Sequence, residues 1–206
     1  MFDFDKIVTA LKTDPNMQRT AGAGAVGLAA GLLLGGGGVG KLAKYGALAA
    51  VGGLAYNAWQ KSQQNKAPDG DIPPADERFI PQAENEREAL GKSLVRAMIA
   101  AAKADNRIDA DEKERIFQRL ETMDLSAEEK AFVFDELAAP LDLNAVVRSA
   151  DTPEHAAEIY AASLVAITAD TATERAYLET LASRLHLPAA LVAEIHAAAD
   201  AETKVS

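Results

Sequence analysis

The chain has 206 residues, room for one ordinary domain with appendages, and its 49% hydrophobic and 5% aromatic content favours helices over sheets. It has no cysteine, which excludes disulfides, thiolate metal sites and cysteine nucleophiles. The net charge of -10 divides unevenly, with 7 Lys/Arg against 3 Asp/Glu in residues 1–67 and 14 against 28 in residues 68–206, so the first part suits an anionic membrane surface and the second is repelled by nucleic acid phosphates.

Residues 1–19 place Phe4, Ile7, Val8 and Leu11 at helical spacing, an amphipathic turn or two that Asp14-Pro15 ends. This does not read as a cleaved signal peptide, because Asp3, Asp5 and Asp14 cancel Lys6, Lys12 and Arg19.

Thr20 to Gln60 holds 12 of the 14 glycines, and its only charges are Lys41 and Lys44. The charge-free run from Thr20 to Gly40 would be roughly 31 Å long as a helix, enough to cross a hydrocarbon core. Gly27, Gly31 and Gly35 recur every four residues, the spacing that lets two membrane helices approach closely. A second uncharged run, Tyr45 to Gln60, has Tyr45 at one end and Tyr56 and Trp59 at the other, the pattern of interfacial anchors. Residues 20–60 are therefore expected to be a membrane segment, one span or a helical hairpin. Lys41, Lys44, Lys61 and Lys66 weakly place the C-terminal part of the chain on the cytoplasmic side. Residues 61–81, rich in proline and with a Pro-Asp-Gly turn, read as a linker.

From residue 82 onward the chain reads as an acidic, all-α domain. Leu90, Leu94, Ala97, Met98 and Ala101 mark a first apolar stripe. Asp109 with Glu112, Ser126 with Glu129 and Thr171 with Glu174 have capping-box spacing, and Thr152-Pro153 pairs a cap with proline at the first helical position. These signals predict helices over about 84–104, 109–123, 126–138, 143–150, 153–169, 172–185 and 188–199. An internal repeat lays Glu112 on Glu174, Ile116 on Leu178, Met123 on Leu185, Leu125 on Leu187 and Val133 on Ile195. The domain is then a compact bundle of about seven helices built from two similar modules.

The stretch AAKADNRIDADE, Ala101 to Glu112, resembles the alanine-rich helix and acidic loop of TerB-like tellurite-resistance proteins. Together with the glycine-rich run GKLAKYGALAAVGGLAYNAWQ before it, the chain is similar to uncharacterised bacterial inner-membrane proteins of the YebE type. It departs from the TerB-like loop at Asn106, where glycine is common, although asparagine tolerates the same left-handed backbone. The resemblance implies a compact helical domain, attachment to the bacterial inner membrane and a link to stress response, with no established catalysis.

Asp105, Asp109, Asp111 and Glu112 form the densest acidic cluster and are the candidate site for a divalent cation, since hard cations prefer carboxylate oxygens. As a calcium-binding EF-hand the loop fails, with Arg107, Ala110 and Ile116 at the third, glycine and closing-glutamate positions. Helix capping by Asp109, with Asp111 and Glu112 at the positive end of the helix dipole, accounts for the same residues. His155, His186 and His196 lack the spacing of a zinc pair and read as polar surface or half-buried residues. Gly35 to Gly40 followed by Lys41 mimics a phosphate loop, but no strand precedes it and no Ser/Thr follows the lysine.

The expectation is a membrane-anchored, non-enzymatic interaction protein that needs no cofactor beyond a weakly held divalent cation. Its acidic domain would dock a protein partner, and Gly27, Gly31 and Gly35 would support homo-oligomers. Two alternatives stay open: a metal-dependent enzyme using Asp105 and Asp109, and a soluble structural protein self-associating through the glycine segment.

Overall fold

The computed structural model describes residues 47–64, 78, 79, 81, 83–104, 126–167 and 171–204. Every regular element among them is helical: α1 Ala47–Gln64, α2 Glu84–Ala102, α3 Ala127–Ala138, α4 Leu143–Arg148, α5 Pro153–Val165, α6 Ala172–Arg184 and α7 Ala189–Lys204. The all-α expectation therefore holds for the described residues.

Local chemistry sets most helix starts. Ser126 Oγ accepts from the Glu129 amide at 3.2 Å while a Glu129 carboxylate oxygen accepts from the Ser126 amide at 2.7 Å. Thr171 and Glu174 repeat the arrangement at 3.1 and 3.0 Å, so each pair satisfies two amides that a helix start leaves free. Thr152 caps α5 through the His155 amide, with Pro153 at the first turn, and Asp142 caps α4 through the Ala145 amide. The start of α6 is where the sequence put it, and α5 stops at Val165 rather than near residue 169.

Helix α5 is the axis of the bundle. Every residue from Ala156 to Leu164 is buried, the pattern of a helix enclosed on all sides. Helix α2 lies along it, α1 and α7 pack on it and on each other, and α6 also packs on it. Leu90, Leu94, Ile159, Leu181 and Ile195 are at most 1% exposed and form the centre of the core. Helix α3 is pinned to α2 from outside: Arg96 bonds Glu136 at 2.6 Å and lies over the Phe132 ring, and Lys103 donates to the Glu136 and Ala139 carbonyls at the end of α3.

Helix α1 departs from the sequence reading. Val51, Leu54, Ala55 and Ala58 follow the i, i+3, i+4, i+7 pattern and are all buried, packed on α7 and α5. Tyr56 and Trp59, expected as interfacial anchors, instead meet the Phe79 ring edge-on, with centroids 5.6 and 5.9 Å away. The boundary expected near residue 82 thus does not separate this helix from the bundle. The physical reason is that an uncharged face of Val, Leu and Ala is buried by a protein core as readily as by lipid. No helix among the described residues is long and apolar enough to cross a membrane. The expected span over residues 20–40, with Gly27, Gly31 and Gly35, lies outside the described residues, as do residues 1–19 and 65–77 of the expected linker.

Candidate functional site

The acidic loop singled out from the sequence, Asp105, Asp109, Asp111 and Glu112, lies outside the described residues. Among the described residues no group of three or more His, Asp or Glu side chains is placed to hold a metal ion. The three histidines are spread apart in role. His155 Nδ1 pairs with Asp151, one turn earlier, His196 Nε2 lies 2.8 Å from the Tyr160 hydroxyl, and His186 sits in the turn after α6.

The chemically unusual group is on α5. Glu154 and Glu158 are one turn apart, so their carboxyls share a face of the helix. Glu154 is nearly enclosed and takes a 2.8 Å ion pair from Arg78, whose own side chain is 59% exposed. That exposure keeps the pair's contribution to stability small. Glu158 is fully buried, and neither carboxylate oxygen has a hydrogen-bond partner. A buried charge without a partner is costly enough that the group sheds it instead. Burial, reinforced by the negative charge of Glu154, pushes the Glu158 carboxyl up to about 9, so it is neutral at pH 7.

Two phenols complete the polar interior of the bundle. Burial raises the Tyr160 hydroxyl to about 12, with the Glu179 charge adding to the effect, which keeps it protonated beside His196. Burial likewise raises Tyr177 to about 12, with Ser163 opposing the shift, and the Ser163 hydroxyl donates across the core to the Ala97 carbonyl of α2 at 3.4 Å. The Tyr160–His196 and Ser163–Ala97 bonds tie α5 to α7 and to α2. The Glu158 carboxyl and the Tyr177 hydroxyl are buried without a hydrogen-bond partner.

Sequence reading passed over Glu154 and Glu158. The signal was present as a pair of acids four residues apart in the run PEHAAEIYAASLV, where a charge in an otherwise apolar helix marks either a solvent face or a buried exception. Alanine-rich periodicity does not distinguish the two.

A family model described as a protein of unknown function, DUF533, matches residues 18–199. The chain belongs to the DUF533 family. The matched residues of this DUF533 protein take in the glycine-rich run as well as the helical bundle. A Yersinia enterocolitica protein described as an uncharacterized protein in the ampR 5′ region is 32% identical over 95 residues, 46% of this chain and 68% of that relative. No solved structure matches the chain.

Proposed function

We propose that this DUF533 protein is a membrane-anchored, non-enzymatic interaction module in which an acidic helical bundle docks a protein partner. The observation that carries the reading is the place of α1. It continues the glycine-rich run and is built into the bundle through Val51, Leu54, Ala55 and Ala58. The charge-free stretch of residues 20–40 would therefore be joined to the bundle by only the residues ahead of α1, and an anchor there would hold the acidic domain close to the bilayer. The excess of acid in residues 68–206 supports a protein partner over nucleic acid or bare anionic lipid.

Fractionation of bacterial cells expressing the tagged full chain tests the anchor. The protein is expected in the membrane fraction after an alkaline wash, and Leu33→Glu, which puts a charge in the apolar run, is expected to move most of it to the soluble fraction. Recovery of the unmodified chain wholly in the soluble fraction would overturn the reading.

A further inference from the structure

The direction of each helix follows from the contacts near its ends. Arg78 and Phe79 are consecutive, and Arg78 pairs with Glu154 in the first turn of α5 while Phe79 meets Tyr56 and Trp59 of α1. The start of α5 therefore lies beside the C-terminal half of α1. Because the buried face of α1, Val51, Leu54, Ala55 and Ala58, packs on α5 and α7, α1 runs back from that point antiparallel to α5. Helix α2 runs with α5: Arg78, ahead of it in the chain, stands at the α5 start, and Ala97, in its C-terminal half, accepts from Ser163 near the α5 end. Helix α3 runs with α2, since Lys92 pairs with Glu128 at the α3 start, Arg96 with Glu136 farther on, and Lys103 with the Ala139 carbonyl at its end. So α2, α3 and α5 all finish at the end of the bundle where α1 begins.

That end carries an exposed apolar turn. Ala138, Ala139, Pro140 and Leu141 are consecutive and all exposed, and Leu141, at 39%, is the exposed large hydrophobic residue among those described. A lone exposed leucine is ordinary, but the backbone of this turn is also fitted for surroundings poor in water. The Ala139 amide bonds the Asp135 carbonyl at 2.9 Å, Pro140 has no amide hydrogen, and Lys103 covers the Glu136 and Ala139 carbonyls. The neighbouring acid, Asp142, is used within α4, where it caps the Ala145 amide and faces Arg148 at 3.8 Å.

We propose that residues 138–141 form a second membrane contact, with the Leu141 side chain inserted into the interfacial layer of the lipid bilayer. This rests on the anchor proposed above. Only residues 41–46 separate the charge-free run from α1, at most about 25 Å of extended chain, so an anchored bundle keeps this end within reach of the bilayer. The contact is apolar and needs no anionic lipid, which the acidic bundle as a whole would repel. One leucine with small neighbours binds too weakly to hold a free protein on a membrane. Tethering raises its effective concentration, and the turn then sets how the bundle stands on the surface.

The chain has no cysteine, so Leu141→Cys takes a single polarity-sensitive fluorescent label, with Glu86→Cys, in the exposed first turn of α2 at the opposite end, as the reference. Both labelled full chains are reconstituted into phosphatidylcholine vesicles and floated, and quenching by lipids spin-labelled near the headgroup is measured. Quenching is expected to be several-fold stronger at position 141 than at 86. In a chain labelled through Ala138→Cys, adding Leu141→Asn is expected to remove most of it. Flotation with equally weak quenching at both positions would overturn the proposal and leave the anchor standing, whereas failure to float would overturn both. Shielding of position 141 from an aqueous quencher in cells but not in vesicles would give the turn to a protein partner, and likewise overturn the proposal.

Discussion

His186 is the only non-glycine residue with a positive φ, 55°, among those described. It occupies the first position past the cap of α6, where the Leu187 amide reaches back to the Ala182 carbonyl at 3.0 Å and the His186 amide to Ser183 at 3.2 Å. This is the six-to-one and five-to-two pairing that usually ends on glycine. A side chain there costs about 1 kcal/mol in backbone strain, so His186→Gly should stabilise the bundle by about that much, seen as a higher urea midpoint with an unchanged slope. The sequence identified His186 as a polar residue outside any metal pair, but not as a helix terminator, because the glycine that signals such a turn is absent. The same limit applies to Glu158. Its identity was visible, while its isolation depends on neighbours distant in the chain.

At the scale of elements, the helix starts that were legible are those written within four residues. Ser126 with Glu129, Thr171 with Glu174 and Thr152 with Pro153 all cap as their spacing predicted, since the bonds involved are local and need no partner from elsewhere. Helix α1 obeys a different logic. Its stretch was read as a second membrane segment bounded by aromatics, and a Cβ built at Gly53 meets nothing within 4 Å. No close approach requires glycine there, and its main effect is to loosen the helix. Gly53→Ala should therefore raise helix stability by about 0.5–1 kcal/mol, and slower amide exchange in α1 would register it. A loss of stability on this substitution would mean that an unseen contact needs the bare backbone.

For the whole molecule, Phe79 is the clasp that closes the chain on itself. It is 1% exposed and set against Tyr56 and Trp59, so it binds the segment ahead of α2 to a helix that the sequence assigned to another compartment. Phe79→Ala should cost about 3–5 kcal/mol, measured as a lower denaturation midpoint. The sequence by itself determined the helical class, the register of the capped helices and the acidic character of the bundle, because periodicity, caps and charge act over a few residues or simply add up. Only the tertiary structure decided that α1 belongs to the core and that Glu158 has no partner. An uncharged helix of alanine and glycine ending in aromatics offers the same apolar surface to lipid or to protein, and a carboxyl's ionisation depends on the atoms packed around it rather than on its place in the chain.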